Sequence, residues 1–228
     1  QETLAKIAKL GFGISDVQKI DEGYLVEGDI ILTEKNLNET PSSTVLRIAN
    51  VEQYHTNNLV DALPRTITVS TNSTNSNLSA AIDGAIARYN AQNLQLTFQR
   101  VSSGGNIAIT VVNTRQYIAS AGFPTSGGDP YNGIKYSKAF INYSPGFMTS
   151  VIAHEMGHCI GFRHTDYMDG SYSCGGSTAN EGASSVGAIF IPGTAVGADP
   201  NSWMLACLSS TTDRPFNPND KTALKYLY

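Results

Sequence analysis

The pattern of apolar and polar residues begins with a small N-terminal unit. In ETLAKIAKLGF, apolar residues recur at roughly helical spacing as far as Gly11, which predicts a helix. The next stretch, SDVQKIDEGYLVEGDIIL, is predicted to turn at Gly23 into a strand. We assign residues 1–35 to this unit, which is too short to hold a hydrophobic core alone.

The residues that follow have the composition of a connector. Residues 33–64 are polar and show no sustained period, so we predict that this part of the chain crosses a surface. We place the connector at 36–64. A tether of this length indicates two unequal parts, of which 65–228 is the larger.

From Arg65 the pattern becomes denser and predicts a sheet covered by helices. Strands are predicted at 65–70, 94–101, 106–113 and 134–143. After the first strand, Ser76 or Asn77 can cap a helix whose buried face consists of Leu78, Ile82, Ala85, Ile86 and Tyr89. Residues 102–105 are too few for a crossover helix. The expected fold is α+β, with a mixed twisted sheet and two helices.

Beyond about residue 161 the periodicity fades. This C-terminal part, 162–228, is rich in Gly, Ser, Asp and Asn, so we predict irregular structure. A closing helix is predicted in NPNDKTALKYLY, capped by Asn217 or Asn219, with Leu224 and Leu227 facing inward.

The second helix of the larger part carries the candidate chemistry. In SPGFMTSVIAHEMGHCIGFRHTD, Ser144 is a plausible N-cap and Pro145 suits the first helical position, so a helix is predicted up to Gly161. His154 and His158 are four residues apart, which places both imidazoles on one face of that helix.

These two histidines and His164 can supply the three protein ligands that a catalytic zinc ion needs. Gly161 can end the helix in a left-handed conformation and return the chain, so that His164 reaches the same ion. Glu155, beside His154, is placed to accept a proton from a water at the open position. The chemistry that this arrangement serves best is peptide-bond hydrolysis.

Three of the four histidines of the chain lie in this one motif. The alternative, an amphipathic helix with three structural histidines and a surface glutamate, does not account for that concentration. The fourth, His55, lies in the predicted connector and is expected to be solvated.

Composition limits the partners and indicates export. The net charge is −4 without any basic block, so neither nucleic acid nor an anionic membrane is an expected partner, and no apolar tract could span a bilayer. Only 15% of residues are charged, which is typical of secreted bacterial enzymes. Cys159, Cys174 and Cys207 allow one disulfide, either 174–207 or 159–174, and a buried thiol is an equal reading for Cys159.

At the histidine motif the sequence resembles the metzincin clan of zinc peptidases, whose pattern HExxHxxGxxH precedes a methionine turn. The resemblance implies that His154, His158 and His164 bind Zn²⁺ at the cleft of a metzincin-like domain, and that Glu155 is the general base. Met204 in NSWMLACL matches the methionine turn, although a plain core role is also open to it.

HEMGHCIGFRHTD and NEGASSVGAIFIPGT are most similar to secreted bacterial peptidases of the dual-action HEIGH type and to myroilysin-like, astacin-related enzymes. Two positions depart from the astacins. Thr165 stands where they have the glutamate that anchors the mature N-terminus, and Ala206 stands where they have a tyrosine ligand. Neither feature is expected here.

The same resemblance places substrate on the strand before the zinc helix, where an extended peptide pairs with an edge strand. The residues in that place are Lys135, Tyr136, Ser137, Lys138 and Ala139. Protein or peptide substrates are therefore expected.

Astacin precursors carry an F-x-G-D-hydrophobic stretch whose aspartate takes the open zinc position, and VEGDI at residues 26–30 resembles it. The resemblance implies that Asp29 is the fourth ligand of a latent form and that residues 1–35 are an inhibitory prosegment. The alternative is that Gly28-Asp29 only forms a tight turn. Cleavage between about residues 50 and 66, for example near Arg65, would activate the chain.

We therefore expect a secreted zinc endopeptidase in proenzyme form, extracellular or periplasmic, bacterial and monomeric. A second hypothesis is a zinc-binding module that recognises peptides with little or no turnover. A third is an intracellular zinc hydrolase acting on a non-peptide amide.

Overall fold

A computed structural model describes residues 2–10, 12–38, 53–167, 169, 171–175, 188–195 and 199–228 of the chain. The helices of this part are α1 (Glu2–Lys9), α2 (Glu34–Leu37), α3 (Ser76–Asn90), α4 (Pro145–Cys159), α5 (Ser171–Cys174) and α6 (Pro218–Leu227). The strands are β1 (Gln18–Ile20), β2 (Gly23–Val26), β3 (Ile30–Leu32), β4 (Tyr54–His55), β5 (Arg65–Thr71), β6 (Leu96–Arg100), β7 (Ile107–Val112), β8 (Ala119–Ser120), β9 (Gly133–Ser137) and β10 (Ile189–Phe190). No described helix is long and apolar enough to cross a membrane.

The central sheet has five strands in the order β6-β5-β7-β9-β8. Four of them run parallel, and β8 lies antiparallel at one edge. The helices α3 and α4 pack against each other and share one hydrophobic core with this sheet. The prediction of a mixed α+β fold with two helices on the sheet is confirmed.

The connection from β6 to β7 is short, yet both strands run parallel to β5 and flank it on opposite sides. The chain therefore crosses β5 without a helix. Gly105 permits this crossing, because a Cβ there would lie 2.7 Å from the backbone nitrogen of Ser70 and 2.9 Å from the carbonyl oxygen of Thr68.

The ends of the helices follow local hydrogen bonding. Helix α3 is capped by Asn75, whose side chain accepts from the Leu78 amide at 2.9 Å, so the predicted caps Ser76 and Asn77 are wrong. The predicted inward residues of α3 are all buried. Asn217 caps α6, as one of the two predicted alternatives, and Leu224 is buried.

The predicted fourth strand ends earlier than residue 143. Strand β9 stops at Ser137, whose side chain accepts from the Ala139 amide at 3.2 Å, and Lys138–Phe140 form a 3₁₀ turn. This strand also has β7 on one side and β8 on the other. The prediction that residues 135–139 form the free edge is therefore wrong, since 135–137 lie in a strand that is paired on both sides and 138–139 lie in the 3₁₀ turn.

Residues 53–60, in the described end of the predicted connector, do not cross a surface, whereas Asp61, Ala62 and Pro64 are exposed. Gln53, Tyr54, Thr56 and Val60 are buried. Strand β4 pairs with β10, and this places His55 half-buried beside Ile189 instead of in solvent. Short polar segments can be buried when their backbone finds partners, and a single sequence does not reveal those partners. Residues 39–52 lie outside the described part.

The N-terminal unit is a three-stranded antiparallel meander, β1-β2-β3, between α1 and α2. Its side chains form a small cluster of their own: Ile7, Leu10, Phe12, Val26, Ile30, Leu32 and Leu37, joined by Phe123. The turn between β2 and β3 holds the residues Glu27, Gly28 and Asp29, and it points this unit at α4.

Candidate metal centre

Helix α4 is the central helix of the molecule. Pro145 is its first residue, and every side chain from Phe147 to Cys159 is buried. A helix that is buried on all sides can hold its polar groups rigidly, provided that each of them finds a partner.

Gly161 ends this helix with φ +109°, a conformation that disfavours any side chain. A Cβ there would also lie 2.6 Å from Leu59 Cδ2. The chain then doubles back, so that Phe162 N donates to the Gly157 carbonyl at 2.9 Å. This return brings His164 to the side of α4 that carries His154 and His158.

The three imidazoles converge on one point. His164 Nε2 lies 3.2 Å from His154 Nε2 and 3.2 Å from His158 Nε2. Zinc binds imidazole nitrogen at about 2.0–2.1 Å, so nitrogens at two corners of a tetrahedron are about 3.3–3.4 Å apart. The observed spacing fits a zinc ion.

The carboxylate of Asp29 occupies the fourth corner. Its oxygens lie 3.2 Å from His154 Nε2 and 3.3 Å from His164 Nε2. One ligand atom from each of Asp29, His154, His158 and His164 falls within a group spanning 4.8 Å. The structure therefore brings all four sequence-predicted ligands together.

Two of the imidazoles are oriented by backbone carbonyls. His154 Nδ1 donates to the Trp203 carbonyl at 2.8 Å, and His158 Nδ1 donates to the Phe162 carbonyl at 2.8 Å. These bonds leave each Nε2 free for the metal, which is the usual arrangement around zinc-bound histidine. His164 differs, since its Nδ1 faces Glu27 Oε2 at 3.6 Å without a hydrogen bond.

Met204 packs against α4 at Gly157. It is fully buried, and its sulfur would be 2.6 Å from a Cβ placed on Gly157, between the two helix histidines. The neighbouring Trp203 donates from its indole nitrogen to the Ala153 carbonyl at 3.3 Å. The turn at Met204 therefore packs against α4, and the carbonyl of Trp203 in this turn orients His154.

Glu155 is 2% exposed, and its Oε2 has no hydrogen-bond partner among the described residues. Burial raises the pKa of Glu155 well above its ordinary value, and the charge of Asp29 raises it further. Burial opposes ionisation of Asp29 too, but the surrounding His164 and His154 outweigh it, so the pKa of Asp29 is lowered. The pKa values of the two carboxylates are thus shifted in opposite directions, because histidines surround Asp29 whereas Oε2 of Glu155 has no partner in the described part of the chain.

A cavity of about 550 Å³ opens beside the four ligands. Glu155 and His154 line it from α4, Ile118 and Ala119 from the sheet edge, and Asp29 from the N-terminal unit. A substrate that reached the metal would enter this space next to Glu155.

The N-terminal unit also pairs with the sheet. Ile31 N donates to the Ala121 carbonyl at 2.7 Å, and Ala121 N donates to the Asp29 carbonyl at 3.0 Å. This short parallel pairing follows directly on β8, the edge strand. The backbone that carries Asp29 to the histidines thus lies along the edge of the central sheet.

A family model described as dual-action HEIGH metallo-peptidase matches residues 24–228. The chain belongs to this family. Membership places it among the zinc metallopeptidases, which are hydrolases, and the Asp29–histidine group fits the zinc ion that the family implies.

Two solved structures of myroilysin are similar to this member of the HEIGH family. Their identities to the chain are 17% and 18%, and both TM-scores are 0.37. The matches cover 48% and 47% of this chain, and 54% and 48% of the two myroilysin chains, so the chain spans about half of their length. No curated protein matches the chain.

The residues predicted to bind substrate are placed elsewhere than expected in this HEIGH peptidase. Tyr136 and Ser137 are fully buried, and Lys135 forms an ion pair with Glu22 of the N-terminal unit. The edge beside the metal is instead β8 and Ala121. A two-residue strand gives no periodic signal in the sequence, which is why the pattern missed it.

Sequence reasoning also missed Arg163 and Glu27. Arg163 is 0% exposed and donates to Glu27 Oε1 at 2.8 Å. Their nearness to His164 and Asp29 in the sequence was the only available signal, because charged residues are buried too seldom for a pattern to reveal it.

One of the two cysteine pairings left open by the sequence is present. Cys174 and Cys207 form a disulfide, while Cys159 is a buried free thiol. Both disulfide cysteines line the cavity.

Proposed function

We propose that this chain is a secreted zinc endopeptidase in latent form, with Glu155 as general base and residues 1–35 as an inhibitory prosegment. The observation that carries the proposal is the position of Asp29, whose carboxylate stands with the three histidine nitrogens at the corners of one small polyhedron. His154, His158 and His164 would hold the ion, and Asp29 would complete the ligand set at rest.

Zinc, when bound, polarises the substrate carbonyl and lowers the pKa of the attacking water. Glu155 accepts the proton of that water and passes it to the departing amine. Its buried position next to the cavity keeps the carboxylate free of competing donors, because Oε2 has none among the described residues. His154 and His158 stay aligned through their Nδ1 bonds to backbone carbonyls.

The N-terminal unit would keep the enzyme latent in two ways, by occupying the open position at the metal and by occupying the edge of the sheet. Asp29 fills the position facing the histidines, and residues 29 and 31 use the backbone amide and carbonyl of Ala121. We propose that these same groups of Ala121, together with β8, pair with an extended peptide substrate after the unit has left. Backbone recognition of this kind tolerates many sequences.

We place the activating cleavage between residues 38 and 53. Gln53 is fully buried and donates to Asp220 Oδ1 at 2.7 Å, and Arg65 already lies in β5, so a cut between them would open packed structure. The disulfide between Cys174 and Cys207 supports export, since disulfides persist in oxidising compartments. We expect the chain to act as a monomer, which sedimentation would test.

The test combines metal analysis with Glu155→Gln. The parent should hold one zinc per chain, show little cleavage of casein before processing, and cleave it afterwards. Glu155→Gln should keep the zinc and lose roughly 10²–10⁴-fold in turnover, the usual contribution of a general base. N-terminal sequencing of the incubated parent locates the cut.

Full activity of Glu155→Gln would overturn the mechanism, and full activity of the unprocessed parent would overturn latency. A chain that binds zinc and peptide after processing, but never cleaves, would be a recognition module and not a peptidase.

A further inference from the structure

The N-terminal unit buries a second carboxylate, that of Glu27, two residues before Asp29. The side chain of Glu27 is 1% exposed, and Oε1 accepts a hydrogen bond of 2.8 Å from Arg163 Nη2, whose own side chain is 0% exposed. Arg163 precedes His164 but belongs to the other part of the molecule. This buried ion pair therefore joins the N-terminal unit to the metal-binding part at a point other than the metal.

The surroundings of Arg163 form a built site. Its guanidinium carbon lies 4.5 Å from the ring centroid of Phe12 and 5.0 Å from that of Tyr167. Such contacts favour a cation. Glu27 is the only carboxylate among the described residues that forms an ion pair with Arg163, whose Nε and Nη1 have no hydrogen-bond partner there. A buried cation with a single counterion depends strongly on that counterion.

The backbone at Glu27 is strained. Its φ is +53°, in the left-handed region that residues with a Cβ seldom adopt, whereas the next residue, Gly28, takes φ +90° without penalty. A glycine at position 27 would form this turn more easily. The side chain of Glu27 must therefore supply what offsets the strain; its hydrogen bond is with Arg163, while its other oxygen lies 3.6 Å from His164 Nδ1 without a hydrogen bond.

We propose that Arg163 and Tyr167 form a carboxylate-binding site, separate from the metal centre, which recognises Glu27 and retains the N-terminal unit whether or not metal is bound. Phe12 of the N-terminal unit contributes a second ring against the guanidinium. The proposal rests on the proposed function, because it supplies a second contact of the inhibitory unit. Removal of the metal alone then leaves the unit in place.

The test is hydrogen exchange of the backbone amides of residues 23–32 in the full chain, measured with zinc and after chelation by EDTA. In Glu27→Gln, exchange should rise roughly 10²-fold or more in both metal states, as expected for breaking a buried ion pair. Glu22→Gln is the matched control, because Glu22 lies in the same unit and pairs with Lys135 across the same interface, but is 39% exposed. Its exchange should rise less than about five-fold.

Equal effects of Glu27→Gln and Glu22→Gln would overturn the proposal. So would an effect of Glu27→Gln that disappears on chelation, since Glu27 would then act through His164 and not through Arg163. Amides of β5 and β7 serve as the internal reference and should not change.

If Glu27→Gln alone does not fold, the double variant Glu27→Met/Arg163→Met keeps the proposal testable. Replacing a buried pair by apolar groups is often tolerated. The double variant should fold and exchange more slowly than any chain with Arg163 left unpaired; if it also fails to fold, the proposal is wrong. Zinc content and casein cleavage are measured on the same samples, so a chain that never cleaves would refute the proposed function without touching the exchange result.

Discussion

Residues 2–38 and residues 53–64 both precede the central sheet, but they are joined to it in different ways. The first stretch buries its apolar side chains mainly in its own cluster, to which Phe123 is the contribution of the larger part. The second places Val60 in the main core, and its backbone is bonded into the turn after α4: Thr56 N donates to the Gly161 carbonyl at 2.8 Å, and Arg163 N to the Tyr54 carbonyl at 3.0 Å.

This difference indicates which of the two stretches can dissociate from the larger part after cleavage. A segment can separate when its apolar surface is buried within itself and its links to the rest are a few polar contacts. The N-terminal unit meets that condition, because its links include Asp29, Glu27, Glu22 and the backbone pairing with Ala121. Residues 53–64 do not meet it.

Two truncated chains give the largest contrast. A chain that begins at residue 53 should fold and cleave peptides without processing, whereas one that begins at residue 65 should not fold. The second loses contacts comparable with the free energy of unfolding of a typical domain, about 5–15 kcal/mol. Circular dichroism on heating and casein cleavage measure both outcomes. Equal behaviour of the two chains would remove the distinction.

Asp29→Asn addresses the contact on which latency depends most. Hydrogen bonds to a charged group contribute about 1.5–3 kcal/mol, so the unprocessed variant should cleave a peptide substrate about 10- to 100-fold faster than the parent. Asp16→Asn is the control, because this exposed carboxylate of the same unit lines the same cavity. If the unprocessed Asp29→Asn chain cleaved no faster than the parent, Asp29 would not be the residue that keeps the chain latent.

A matched pair of core substitutions compares the two stretches directly. Val60→Ala should lower the free energy of unfolding of the larger part by about 1.5–3 kcal/mol, from two lost methyl groups and the cavity they leave. Val26→Ala, equally buried but in the N-terminal unit, should leave that value unchanged and speed exchange only in residues 23–32. If both variants lower the melting temperature of the larger part equally, the unit is not separable.

Asp220, which accepts a hydrogen bond from Gln53, should have a smaller effect on stability that depends on pH. Burial raises the pKa of Asp220 to about 7, although Asn217 and Trp203 donate to it. A carboxyl whose folded pKa exceeds its unfolded pKa favours the fold at low pH, and this contribution is lost as pH rises through the folded pKa. The free energy of unfolding should fall by about 1–2 kcal/mol between pH 5.5 and 7.

Asp220→Asn should remove this slope, even though it lowers stability throughout. Denaturant titrations at several pH values measure the slope. The same slope in parent and variant would assign it to another group.

The sequence predicted most where the physics is local. Ser144 and Pro145 at one end and Gly161 at the other predicted the bounds of α4, and the four-residue spacing of His154 and His158 placed both on one face. The return of His164 followed from Gly161, because a glycine at a helix end can adopt a positive φ. These features depend on neighbours in the chain.

Features that depend on distant partners were not predictable. Strand β8 is two residues long, and it is an edge only because β9 lies inside the sheet. Residues 53–56 are polar in composition, yet all but the half-buried His55 are buried, because partners at 161, 163 and 220 satisfy their polar groups. The pair Glu27–Arg163 needs two segments to meet, and no periodic pattern encodes such a meeting.

Gly157 has a consequence that reaches beyond this chain. Its Cβ position is already taken by the sulfur of Met204, so the fourth letter of HEMGH is set by the methionine turn and not by zinc chemistry. Positions 157 and 204 should therefore vary together among relatives, a side chain at the first requiring a smaller one at the second. A search that demands only the histidines and the glutamate treats position 157 as free. A search that also requires compatible residues at positions 157 and 204 would select chains in which the methionine turn can pack against the histidine-bearing helix.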